Sequence, residues 1–482
     1  MRRFIQQPFL SLLTLPALGI CLSTCQMREH LFYDTRTSDS EATDDSDSDN
    51  DSESGQASGT DTDETCPASL AGRLTVTTVT LDETPKYLRP WYDNTLADAR
   101  LLLAAAEDGS AWAAWAAADN TVHLTPLTAD LTRAGDDVVI AGTDVGGLTA
   151  RADGPAALVL TDDPYRSEIA LSDDDPTYAV HLVRYRDNAL LFDARLTGPS
   201  GLDGEPDYID NFGASTLKWN GETYGAYFQI RGGLGHSFEG AYGDKLLYLD
   251  DGGARVDGGF SWACTISYYL RLLPENEIPF TALCMEDGAD QGGAYVVGLG
   301  DKREIAAEEA SAGWIGAKFG GIVKLPDDRY LTAWSSQWEV PGNAFDIALS
   351  FLDTDRAPTG ERRMLTDTPD LSEENLHLAL YGDDRILVAY SVYENAVCDT
   401  TCIGDDAGMR FRLMDLDGNW IGDPETLAVR PPDEDEMIVF PNGDIGFVFV
   451  DHGTAYGQRN APELSDPPNI NELKIARIRY CE

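Results

Sequence analysis

The sequence predicts an all-β fold in which blades of short strands close into a ring, a β-propeller. Three observations predict it. A unit of apolar strand, tight acidic turn and second apolar strand recurs seven times. The turns, at positions 108, 153, 220, 276, 327, 383 and 442, are on average about 56 residues apart, a period typical of blades. Helical periodicity is nearly absent, with only 304–312 reading as one short helical turn. The count favours seven blades. Six or eight are the alternatives, because the second unit is poorly patterned.

The units follow in order. Unit one runs over 100–106, turns at Glu107-Asp108-Gly109 and continues over 110–117. Unit two turns at Asp153-Gly154 before 156–160, and unit three turns at Asn220-Gly221 between 215–219 and 224–230. Unit four joins 268–273 to 280–285 through Glu275-Asn276, and unit five joins 321–325 to 330–335 through Asp327-Asp328. Unit six turns at Asp383-Asp384 between 376–381 and 386–392, and unit seven at Asn442-Gly443 between 437–440 and 445–450. Asn-Gly and Asp-Gly between apolar runs signal hairpins because both residues tolerate positive φ. Third strands follow, such as 246–249, 347–352 and 409–414, each running into a turn that opens with Asp.

Unit seven reaches the chain's end with its third strand, 473–480, and lacks a fourth. The alternating segment 73–81 is the expected fourth strand, so that both ends of the domain 66–482 meet in one blade and no inner edge stays unpaired. Cysteines agree with this splice. Cys66 precedes the closing strand and Cys481 follows the last one, so a Cys66–Cys481 disulfide would staple the ring. Cys264 with Cys284 is the second expected pair, taken to flank the unit-four hairpin with a bulge. Cys398 with Cys402 is the third, a clip within a unit-six loop.

Ahead of the domain, Met1-Arg2-Arg3 and an apolar run ending in Leu22-Ser23-Thr24-Cys25 have the layout of an export signal, 1–24. The run is too short for a comfortable membrane span. Its end resembles a lipoprotein signal, which makes Cys25 the residue lipidated, with Cys21 the alternative. Gln26 after that cysteine favours the outer membrane. The segment 25–65 is an Asp/Ser-rich tether, and 34–65 holds 12 acidic residues and one Arg. It has nothing to bury and should be disordered and extended by self-repulsion.

Net charge is −48, with 35 Lys and Arg against 83 Asp and Glu. Nucleic acid is thereby excluded as a partner, because phosphate neutralisation needs clustered cations. Only a lipid anchor would bring such a chain to a membrane. Histidines 123 and 181 occupy matching third-strand positions and read as packing, as does His377 on an innermost strand. Neither an HExxH pattern nor a zinc spacing occurs, so no metal ligand set is assigned.

Loops between second and third strands share one propeller face, and candidate binding residues fall there. The glycine-rich loop 231–240 carries His236, Ser237 and Glu239. Its sequence lacks the GxSxG nucleophile elbow. Other units add Glu168, Trp338, Glu394 and His452. Carboxylates of this kind could run glycoside hydrolysis or hold calcium, and Trp338 could stack on a sugar. In so acidic a chain, however, acidic loops are the default. The turn Asp415-Leu416-Asp417-Gly418-Asn419 partly matches a calcium loop, but Thr426 stands where the bidentate Glu belongs.

Signal, tether and repeat style together resemble the β-propeller lipoproteins of myxobacteria-like bacteria. The most family-like stretch is the Gly-His loop followed by Gly258-Gly259-Phe260-Ser261-Trp262-Ala263-Cys264. The resemblance implies no reaction, so no catalytic residue is carried over. It implies an exported outer-membrane lipoprotein, periplasmic or surface-facing. The expected function is a non-enzymatic, monomeric binding or scaffold head for an envelope protein or glycan, without a cofactor. The alternatives are a carbohydrate-active enzyme, hydrolase or lyase, using the loop carboxylates, and a calcium-dependent adhesion module.

Overall fold

The computed structural model describes residues 66–86, 100–171, 177–202, 204–209, 215–265, 269–275, 278–286, 292–298, 301–308, 317–336, 344–368, 370–398, 402–432, 435–449 and 471–481. The expected signal, the tether and the lipidation candidates Cys21 and Cys25 lie outside them. The described residues belong to one compact unit, Glu64–Glu482.

They form an all-β propeller. Among the described residues the strands make seven antiparallel sheets of four, one with an added fifth strand. Each repeat unit supplies one sheet. The first is Leu102–Ala105, Ala111–Ala116, Thr121–Leu127 and Val138–Ala141, ordered as in the chain. The innermost strands of successive sheets touch all the way round, from Leu102–Ala105 through Leu371–Tyr381 to Ile438–Val439, which meets Leu102–Ala105 again. The ring is therefore closed.

Among the described residues, hydrophobic clusters fill each of the seven seams between sheets. Trp112, Val122 and Leu124 of the first sheet pack on Val145 and Val159 of the second. Phe447 and Ile478 of the seventh pack on Tyr381 and Phe411 of the sixth. Each inner sheet is covered on both faces, which explains why its strands read as unbroken apolar runs. Ala-Trp-Ala-Ala-Trp-Ala, 111–116, is buried at every position. Outer strands alternate or face water, as Ala189–Arg195 does.

Closure follows the sequence reading. Leu74–Thr80 pairs antiparallel with Glu472–Ile478, Leu74 opposite Ile478 and Thr80 opposite Glu472. The Cys66–Cys481 disulfide joins residues 415 apart beside that strand pair. Before the strand, a single helical turn, Leu70–Arg73, starts at Ser69, whose hydroxyl accepts from the Gly72 N–H at 3.1 Å.

Two expectations change, and one strand is added. The helical turn read at 304–312 is not formed by its described part: Asp301–Glu308 is the outer strand of the fourth sheet. Ala and Glu favour helix locally, but pairing with Gly292–Gly298 and burial of Ile305 decide the outcome. Cys264 and Cys284 are bonded, but not across the unit-four hairpin. Cys264 lies on the outer strand of the third sheet, Arg255–Thr265, and Cys284 on the second strand of the fourth, Phe280–Glu286. The bond staples two blades, and no hairpin bulge is needed. Asp207–Tyr208 adds an unforeseen strand to the third sheet, against Arg231 and Gly232. Cys398 and Cys402 are directly opposed in backbone register at the end of a long hairpin, and their side chains lie outside the described residues.

Candidate binding face

In antiparallel four-stranded blades, the first strand starts at the end where the second passes into the third. Two groups of side chains occupy that end of the ring: a charged hub on the axis, and the loop 231–240 at the periphery.

The hub is built at the starts of innermost strands. Arg100, just before Leu102–Ala105, donates from Nε to Asp435 Oδ1 at 2.7 Å and from Nη1 to the Gly146 carbonyl at 2.6 Å and to Ser215 Oγ at 3.0 Å. One guanidinium thus ties sheets one, two and three to the segment leading into sheet seven. Lys218 pairs with Glu436 beside it. Burial pushes the Asp435 carboxyl up, although Arg100 opposes the shift. Burial acts the same way on Glu436, but Lys218 and Arg271 win and hold it below its usual range. His377 is 1% exposed. Its Nδ1 lies 3.0 Å from the Asp435 carbonyl, and burial pushes its pKa down to about 3, so the ring is neutral. Asp144, at the start of the second sheet, is pushed up to about 7 by burial. Arg100, Lys218, Arg271, Asp435 and Glu436 line a cavity of about 30 Å³. Such a space is large enough for water. The hub therefore locks the ring.

The loop 231–240 differs. Gly232 and Gly233 are required where it leaves its strand, since Cβ atoms there would stand 2.2 Å from the Phe238 carbonyl oxygen and 2.4 Å from that of Pro206. His236 Nδ1 accepts from the Phe238 N–H at 2.9 Å, and Glu239 accepts from the Gly235 N–H at 3.2 Å. Ser237 is exposed. The His236 and Phe238 rings gather at Trp262, with centroids 5.1 and 4.8 Å away. Phe238 remains 50% exposed and Leu234 52%.

Of the other sequence candidates, Glu168 is brought next to this loop. It lies exposed in the turn Arg166–Ile169, and the Leu234 N–H donates to the Ile169 carbonyl at 2.9 Å. Glu394 is exposed on the long hairpin of the sixth sheet, in register with Leu371 and Asp405. Trp338 and His452 lie outside the described residues. His123 is buried, stacked on Trp115 and 3.1 Å from Asp137, whereas His181 is partly exposed and 2.6 Å from Asp193.

Neither metal motif gains ground from the geometry. Asp415 Oδ1 accepts from the N–H groups of Asp417 and Asn419, at 3.0 and 2.7 Å. Asp250 and Asp353 make the same contacts in their own turns. The calcium-like turn is thus a repeated Asx turn whose carboxylate is committed to backbone. Ligand-type atoms of Asp244, Cys264 and Cys284 lie within 4.8 Å of one another, but the two sulfurs are bonded to each other. Asp244 instead accepts from Tyr227 Oη at 2.6 Å and from the Cys264 N–H at 2.9 Å, and burial pushes it up to about 6.

Sequence reasoning missed Arg100, Asp435 and Trp262 as site residues. A charged residue at the start of an innermost strand was the available signal for the first two. For Trp262 it was the preceding Gly258-Gly259 pair.

No protein-family model and no curated protein matches the chain. Solved structures do. A protein of unknown function from Dyadobacter fermentans DSM 18053 is 16% identical with a TM-score of 0.37, over 70% of this chain and 98% of that one. The Dos1 propeller is 11% identical with a TM-score of 0.44, over 84% and 85%. The WD40 β-propeller domain of Doa1 is 10% identical with a TM-score of 0.39, over 83% and 95%.

Proposed function

We propose that this chain is an exported, lipid-anchored envelope protein whose propeller head binds a protein or glycan of the envelope without turning it over. The observation that carries this reading is the loop 231–240, folded into an exposed aromatic surface on a rigid ring. His236 Nδ1 and Glu239 Oε2 each accept a backbone N–H of the loop, and neither is paired with Ser237 as a base would be. That arrangement suits a platform better than a nucleophile and base. Export is supported by two disulfides in the head and by the basic and apolar residues of 1–24. Among the described residues no helix is long and apolar enough to cross a membrane. Anchoring is assigned to lipid on Cys25 because Leu22-Ser23-Thr24-Cys25 resembles a lipoprotein signal, with the tether 25–65 holding a monomeric head away from the bilayer.

Two measurements test this reading in a bacterial host that processes lipoproteins. Alkyne-palmitate should label the full chain and the Cys21→Ala variant but not Cys25→Ala; a labelled Cys25→Ala variant would refute the anchor. A photo-crosslinking residue at Leu234 should give adducts with envelope material. One at Glu222, exposed in the turn at the opposite end of the third sheet, should not. Equal yields from both positions would sink the binding-face assignment.

A further inference from the structure

Trp262 is the strained residue of the binding face. Its φ is 64°, a left-handed backbone that bulky side chains rarely adopt. Gly258 and Gly259 before it stand at 111° and 76°, and their strand slips register twice against its neighbour. The indole lies against Gly243, where a Cβ would come within 2.2 Å of the ring. The same ring supports His236 and Phe238, whose planes are tilted from it by 33° and 31°. Strain and two glycines of positive φ thus hold an aromatic footing under a side chain that is left half in water. Strain kept for such an outcome points to function.

The edge of this surface carries matched polar groups. Because His236 Nδ1 accepts a backbone N–H, the proton of the neutral ring sits on Nε2, which becomes a donor. Ser237 and Glu239 are exposed, one a hydroxyl and the other an acceptor. A cluster of mutually tilted aromatic rings bordered by donor, acceptor and hydroxyl complements a sugar ring, which has an apolar C–H face and hydroxyls that both give and take hydrogen bonds. Charge narrows the class. Glu239, the neighbouring Glu168 and a net charge of −48 oppose an anionic ligand.

We propose that this surface is a binding site for a neutral saccharide. The sugar's C–H face lies on Phe238, and its hydroxyls meet His236, Ser237 and Glu239. The inference rests on the binding-face reading above and names its ligand class.

The purified full chain is titrated with chitohexaose, cellohexaose and maltohexaose, followed by indole fluorescence and calorimetry. Polygalacturonate and a lysine-rich peptide are the contrasting probes. At least one neutral saccharide should bind with a Kd of about 1 mM or tighter. Phe238→Ala should weaken that binding about tenfold or more, and Phe238→Tyr should stay within about threefold of the parent. The melting temperature of Phe238→Ala should match the parent's, because the ring is half exposed. Binding of none of the three saccharides, unchanged binding by Phe238→Ala, or binding of only the acidic polymer or the peptide would overturn the proposal. Leu234 crosslinks separate the two failures. Adducts without saccharide affinity leave the binding face standing with another ligand class, whereas absence of both removes the face as well.

Discussion

Arg100 and Asp435 meet on the axis of the ring although 335 residues separate them. Both are buried, and Asp435 has the Arg100 guanidinium against one carboxylate oxygen. A buried pair broken from one side leaves an uncompensated charge, so Arg100→Met should cost about 3–5 kcal/mol in urea unfolding. Arg100→Met combined with Asp435→Leu should recover most of that loss, because no bare carboxylate remains. A double variant as unstable as the single would instead assign the stability to the bonds with Gly146 and Ser215. Asp144 gives a second test, through pH. Burial raises its pKa to about 7, against Arg100 and Lys86, so folding takes up a proton between about pH 4 and pH 7. Its contribution is fully present below about pH 4 and is lost as pH rises through about 7. Asp144→Asn keeps the oxygen that accepts the Val145 N–H and removes the titration. The stability difference between variant and parent should therefore grow with pH across this window and exceed about 1 kcal/mol at pH 8. His377, lowered to about 3, pulls the other way in acid, but it is present in both proteins and cancels from the difference.

At the scale of strands and turns, much was legible because the signals are local. Gly109, Gly221 and Gly443 take the positive φ that their Asp-Gly and Asn-Gly turns imply, and Asp328 does so without a glycine. Leu74–Thr80 could be read as a missing fourth strand because the seventh unit was one strand short. What stayed hidden depends on partners distant in sequence. Residues 301–308 favour helix until Gly292–Gly298 is placed beside them. Cys264 and Cys284, 20 residues apart, look like a hairpin pair until the intervening chain is seen to cross from one sheet to the next. The loop 231–240 was singled out for its glycines and His236. Its footing was not, since nothing local says that Trp262 will turn back onto Gly243 and meet Phe238. Arg100, Asp435 and Glu436 looked like ordinary members of an acidic, arginine-rich chain. Only ring closure makes them neighbours.

For the whole molecule, closure is the step that turns seven separate sheets into one cooperative structure. Besides the Arg100 hub, two devices hold it at the splice: the strand pair Leu74–Thr80 with Glu472–Ile478, and the Cys66–Cys481 bond. The bond closes nearly the entire domain into one loop, the case in which cross-linking restricts the unfolded chain most. Against it stands the acidity of 66–482, whose self-repulsion favours an opened ring. Cys66→Ser with Cys481→Ser should therefore lower stability by roughly 2–5 kcal/mol. The loss should fall as salt is raised, since screening over about 10 Å at 0.1 M weakens repulsion between exposed charges. Hydrogen exchange locates the effect. Amides of 74–80 and 472–478 should exchange faster in the double variant, while those of Ala111–Ala116, sealed in the first sheet, should change only with global stability. Uniform acceleration in all seven sheets would mean that the ring does not open at its splice and that the disulfide acts on the unfolded chain alone.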